Sequence, residues 1–121
     1  MMRGTTMRRQ ATLPITLRLP GQPDFTIEFV VDTGFSEDLT LPVAAVAAMG
    51  LPLLFRRSVG LADGSAVTMA IHSAKILWDG VERQVSVLAT GRRPLLGTML
   101  LDEQELRVRF HEGDLVSVED L

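Results

Sequence analysis

Three consecutive residues, Asp32, Thr33 and Gly34, concentrate the chemistry this sequence offers. They stand directly behind the apolar run Phe29-Val30-Val31. The carboxylate can take or give a proton. The hydroxyl can tie down a turn. The glycine permits positive φ or a close approach by another chain. A carboxylate just past a strand that is apolar on both faces is costly unless it is hydrogen-bonded. Asp, Thr and Gly are also ordinary turn formers, so the tripeptide alone does not separate a capped turn from a reactive one.

Few other chemistries are open. The chain has no cysteine, which removes disulfides, thiolate nucleophiles and Cys-ligated zinc. His72 and His111 are the only histidines and share no metal-ligand spacing. No Gly-x-Ser-x-Gly elbow supports a serine nucleophile. The net charge of −3 gives no general attraction to nucleic acid, and aromatic residues make up only 5% of the chain, too few for a base-stacking surface. The pairs Arg8-Arg9, Arg56-Arg57 and Arg92-Arg93 are scattered and read as solvated surface. No secretory signal is visible, and the apolar stretch Val43 to Phe55 is too short to span a bilayer. The expectation is a cytoplasmic protein with no membrane, nucleic-acid, metal or cofactor partner.

The elements that must position Asp32 follow from periodicity. With 121 residues, 46% of them hydrophobic, the chain supports one domain with one core. Residues 1–11 read as a flexible or dimer-pairing arm, and residues 12–121 as the domain. Leu13, Ile15, Leu17 and Leu19 alternate with polar residues, as do Phe25, Ile27, Phe29 and Val31. Pro20-Gly21-Gln22-Pro23 turns one strand into the other. Pro14 confines the first to an edge or to a position with a free N–H. Leu39-Thr40-Leu41 is a short apolar run. Pro42 at N1 and Gly50 at C′ bound a helix over Val43 to Met49. Leu53 to Leu61 is a strand, and Asp63-Gly64 reads as a two-residue hairpin turn. The next strand changes apolar phase between Ile71 and Ala74, which predicts a bulge or bend. Asp79-Gly80 is a second hairpin turn, with Val81 to Ala89 returning from it. Leu95-Leu96-Gly97 precedes a short helix from Thr98 through Gln104, and strands follow around Leu106 to Phe110 and Leu115 to Glu119. The pattern is all-β, a compact barrel or sandwich with two brief helices.

This order of parts resembles the retropepsin-like aspartic peptidases of clan AA. The resemblance rests on Phe29-Val30-Val31-Asp32-Thr33-Gly34, on the hairpin at Asp63-Gly64 and on Leu95-Leu96-Gly97, and it covers roughly Thr12 to Leu121. The continuation from Phe35 resembles a bacterial and archaeal branch with Phe after the Gly. It implies the closed-barrel acid-protease fold with one lobe per chain. It also implies an aspartic endopeptidase in which Asp32 is catalytic. Peptide hydrolysis by carboxylates needs two at one site, sharing a proton and activating a water. One Asp-Thr-Gly per chain therefore implies a homodimer with Asp32 on both sides of a two-fold axis. By the same resemblance Thr33 bonds across the dimer and Gly34 admits substrate and partner. Leu96 and Gly97 support the turn. Ala62, Asp63 and Gly64 form a flap over an extended peptide, and the chain termini pair between subunits.

The family's usual small residue after the Gly is here Phe35, which either fills part of the substrate groove or joins the core. Two rival functions remain. One is a catalytically silent homodimeric peptide-binding module that keeps the Asp32 turn for structure. The other is a nucleotide site, since strand-Asp-x-Gly also resembles a phosphate loop of actin-like kinases. That fold needs a longer chain and further phosphate motifs.

Overall fold

The alternating apolar residues before the Asp32 turn form the centre of the sheet. The computed structural model describes residues 1–121. Strands β2 (Gln10–Arg18) and β3 (Phe25–Val31) pair as a hairpin, with Leu13 opposite Phe29 and Ile15 opposite Ile27. Leu13, Ile15, Leu17 and Phe29 are fully buried. The far edge of β2 changes partner along its length, so Pro14 falls between two stretches of ladder.

Strand β1 (Met2–Met7) runs antiparallel to β2 through a two-residue turn, Arg8-Arg9, whose φ values are 51° and 64°. Its other edge pairs with β10 (Leu115–Asp120). A Cβ on Gly4 would lie 1.8 Å from the Thr12 carbonyl oxygen, so only glycine lets the two backbones come this close. Residues 2–7, expected as a flexible or dimer-pairing arm, are a strand of the chain's own sheet. The hairpin turn folds the arm back, and both of its edges are used within the chain. Strand β9 (Gln104–Val108) occupies the other edge of β10.

The rest of the chain closes a ring. Strand β4 (Leu39–Leu41) is wholly buried. Helix α1 (Val43–Met49) follows Pro42, which is its N-cap rather than N1. Gly50, at φ 65°, ends it. Strand β5 (Leu53–Gly60) pairs only with β6 (Ala66–Trp78), which turns through Asp79-Gly80 into β7 (Val81–Ala89). The phase change in β6 leaves it one unbroken strand. The bulge lies opposite, at Leu54 of β5. Strand β8 (Leu95–Leu96) leads into helix α2 (Thr98–Leu101). That helix stops three residues short of the expected Gln104, because Asp102 has left helical geometry and Glu103 takes φ 60°.

The sheet order is β5-β6-β7-β4-β8-β3-β2-β1-β10-β9, with a further pairing of β6 to β2. That pairing closes the strands from β6 through β2 into a barrel. Strand β5 projects from one side, and β1, β10 and β9 extend the other. Leu39, Leu41, Ile76, Val87, Leu96 and Leu100 join the β2–β3 residues in one core. No helix is long and apolar enough to cross a membrane.

Candidate active site

Asp32 leaves β3 at the point where that strand meets β8. Val30 and Val31 pair in parallel with Leu95 and Leu96. The Asp32 N–H donates to the Leu96 carbonyl at 2.9 Å. Within the turn the Gly34 N–H donates to Asp32 Oδ1 at 2.9 Å, and the Phe35 N–H donates to the Asp32 carbonyl at 3.1 Å. The side chain is thus oriented by the turn it starts, and it remains part-exposed; Thr33 and Gly34 are exposed.

The support behind the turn is β8 with Gly97. Leu96 is fully buried between β3 and β4. The Gly97 N–H donates to the Asp38 carbonyl at 2.8 Å, and the Thr98 N–H donates to the Phe35 carbonyl at 2.8 Å. The Leu95 N–H donates to Thr40 Oγ1 at 3.2 Å. Phe35 is half-buried against Gly97 and does not line the cavity beside Asp32.

That cavity has a volume of about 420 Å³. Val30, Val31 and Leu95 line it from the barrel, and Leu106, Val108 and Phe110 from the β9 side. Asp32 is the one acid in the lining, and Arg9 and Arg93 are its cations. Arg93 Nη1 donates to Gln10 Oε1 at 2.9 Å. A second cavity of about 460 Å³ lies between Leu51–Leu54 and Lys75–Gln84 and does not include Asp32. Its buried Ser73 accepts a hydrogen bond from Gln84 at 2.8 Å. No three His, Asp or Glu side chains converge on a metal-sized site. The Nδ1 of His72 lies 2.9 Å from the Leu51 carbonyl, a structural contact.

The β5–β6 hairpin carries Ala62, Asp63 and Gly64 at its exposed tip, apart from the Asp32 cavity lining. The expected two-residue turn is instead a three-residue loop. The Leu61 N–H donates to the Ser65 carbonyl at 2.8 Å, and only Gly64 takes positive φ, 85°. A two-residue type I′ turn needs positive φ at both positions, which Asp63 does not adopt. The Ser65 hydroxyl, and then its N–H, bond the Asp63 carboxylate and hold its pKa below the ordinary value.

Two acids escaped the sequence reading. Asp38 is buried, and its Oδ2 accepts the Ser86 N–H at 3.0 Å. Glu37 forms an ion pair with Arg57 of β5, joining the Asp32 loop to the hairpin. The placement of Asp38 directly before the buried triplet Leu39-Thr40-Leu41 is the one sequence signal that pointed to its burial.

Among solved structures the chain is similar to a retropepsin-like aspartic protease from Rickettsia conorii. The TM-score is 0.58 at 21% identity, over 95% of this chain and 86% of that one. No protein-family model matches the chain. No curated protein matches it either. The likeness is one of fold: this chain has the retropepsin-like all-β fold with two short helices.

Proposed function

We propose that this chain is one half of an aspartic endopeptidase. Two copies supply one Asp32 each, the two carboxyl groups share a proton, and the ionised one takes a proton from a bound water. The water attacks the peptide carbonyl while the protonated carboxyl polarises that carbonyl's oxygen. Thr33 bonds across the pair, Gly34 keeps the backbone open to substrate, and Leu96 and Gly97 hold the turn in place. The hairpin tip at Ala62, Asp63 and Gly64 closes over an extended peptide. Phe35, packed on Gly97, shapes the end of the groove.

One observation carries this reading. Asp32 is part-exposed in a cavity of suitable size and is the one carboxylate there. A single carboxylate cannot be base and acid at once, so the chemistry asks for a second copy. The retropepsin-like fold supports the same arrangement. The test is cleavage of a mixed peptide library from acid to neutral pH, by wild type and Asp32→Asn, over a range of protein concentrations. Cleavage only by wild type, falling faster than linearly on dilution, is the expected result. Equal cleavage by Asp32→Asn would reject Asp32 as the catalyst. No cleavage by a confirmed dimer would favour a peptide-binding module.

A further inference from the structure

Three strands of the barrel set a row of polar side chains on their outer face. Arg18 of β2 stands directly across from Lys75 of β6, and Lys75 directly across from Gln84 of β7. Ala74 and Ile76, the neighbours of Lys75 in β6, belong to the core, so the row points away from it. All three residues line the second cavity, of about 460 Å³. Two cations directly opposite each other are unfavourable unless anions answer them. Asp24 and Glu82 each approach Arg18 at 3.7 Å. Lys75 is the lining cation without a carboxylate partner.

Ser73, two residues before Lys75 and on the same face, lines the cavity and is only 8% exposed. Its hydroxyl accepts a hydrogen bond from Gln84 Nε2 at 2.8 Å and gives its own hydrogen to no protein group. A buried donor left without an acceptor costs stability. The facing wall is apolar. Leu19 and Pro20 come from the turn after β2, and Leu51, Pro52 and Leu54 from the entry to β5. The Ser73 N–H donates to the Pro52 carbonyl at 2.9 Å, which fixes this wall to β6. Leu54, at the bulge of β5, is 52% exposed.

We propose that this cavity binds a carboxylate carried on a short aliphatic body. The head accepts hydrogen bonds from the Lys75 ammonium and the Ser73 hydroxyl, and the body lies on Leu51 and Leu54. One uncompensated cation answers one negative charge. Glu82, the one acid of the lining, opposes a head with two charges, such as a phosphate monoester. A cavity of this volume, with a few polar groups set in an apolar wall, is what a small-molecule site requires. It shares no lining residue with the Asp32 cavity, so the proposal stands or falls separately from the peptidase reading. A free aliphatic acid and the C-terminus of a peptide ending in an apolar residue share this chemistry.

The test titrates the full chain with hexanoate and follows amide resonances. Hexanol supplies the body without the charge, acetate the head without the body, and N-acetylleucine a peptide-like terminus. Hexanoate should shift Leu54, Ser73, Lys75 and the Gln84 side-chain amide saturably, with a Kd on the order of 1 mM for a ligand of this size. Hexanol should bind about fivefold more weakly, the upper end for a part-exposed charge contact, and acetate should not saturate. Lys75→Gln should weaken hexanoate by the same factor and leave hexanol unchanged, while Lys75→Arg should retain hexanoate. Thermal melts confirm that both variants fold. Tighter binding of N-acetylleucine than of hexanoate assigns the site to a peptide end, and the reverse order to a free acid; both uphold the proposal. Absence of saturable shifts with either carboxylate would overturn it. So would shifts centred on the Asp32 cavity, equal binding of hexanol and hexanoate, or a Lys75→Gln protein that binds hexanoate like wild type.

Discussion

Gly97 sits so close to Glu37 that a Cβ there would stand 2.0 Å from the Glu37 carbonyl oxygen. Its φ of −99° and ψ of 178° are ordinary extended values, so space rather than conformation requires glycine. The Phe35 ring and carbonyl crowd the same spot at 2.6 and 2.7 Å. Gly97→Ala should therefore force the loop after Asp32 off β8 and cost about 1–3 kcal/mol or more, the usual range for overpacking. Because Leu96, the residue before it, anchors the Asp32 N–H, activity should fall further than stability. Denaturant titration beside a cleavage assay checks both, and an unchanged midpoint would show that the loop yields freely.

Asp38 fastens the other side of that loop. Its carboxylate accepts the Ser86 N–H at 3.0 Å and the Ser86 hydroxyl at 3.4 Å. Asp38→Ala leaves both donors without this acceptor in a part-buried place, at about 1 kcal/mol or more. Asp38→Asn keeps an acceptor oxygen and should lose less. Equal destabilisation by the two variants would mean that charge, not hydrogen bonding, holds the contact.

The Glu37–Arg57 pair spans the Asp32 loop and the β5–β6 hairpin, with side chains 26% and 41% exposed. A pair this open contributes only about 0–1 kcal/mol. Arg57→Ala should leave the melting temperature nearly unchanged and yet raise amide exchange across Leu53–Gly60, because β5 has just one strand neighbour. Exchange identical to wild type would show that the pair does not restrain the hairpin.

The hairpin tip carries its own pH signature. Hydrogen bonds from the Ser65 hydroxyl and N–H hold the Asp63 pKa below the ordinary carboxylate value of 3.8. A carboxylate with a depressed folded pKa adds support that is present above the unfolded value and lost as pH falls through the folded one. The Ser65 amide resonance should therefore titrate with a midpoint under 3.8, rising towards that value in Ser65→Ala. A wild-type midpoint at or above 3.8 would dismiss the bond. Any pH limb of cleavage above that range then belongs to another group.

Much of the barrel was legible in the chain. The alternation Leu13-Ile15-Leu17 against Phe25-Ile27-Phe29, the Asp79-Gly80 turn and the Gly50 stop are local signals, each set by a side-chain period or a backbone preference within a few residues. The burial of Leu96 was implied by the family resemblance, and Asp32 stood out by its place directly after an apolar strand. Two local readings erred by small steps. Asp63-Gly64 became a three-residue loop, and α2 ended at Leu101, since the register of the flanking strands decides where a turn closes.

What the sequence determined by itself is most of the strands, though not β1 or β8, together with the two short helices and the location of one carboxylate turn. What only the tertiary structure decided is which strands have neighbours on both sides. Residues Met2–Met7 looked like a loose arm because nothing local announces β10 as their partner, more than a hundred residues away along the chain. The same long-range pairing fills the terminal strands and leaves the edge of β9 open, beside the Asp32 cavity. It also places buried Asp38 on Ser86 and Gly97 on the Glu37 carbonyl. Hydrogen-bond partners across a sheet are fixed by closure of the whole barrel, and no period within a single strand encodes them.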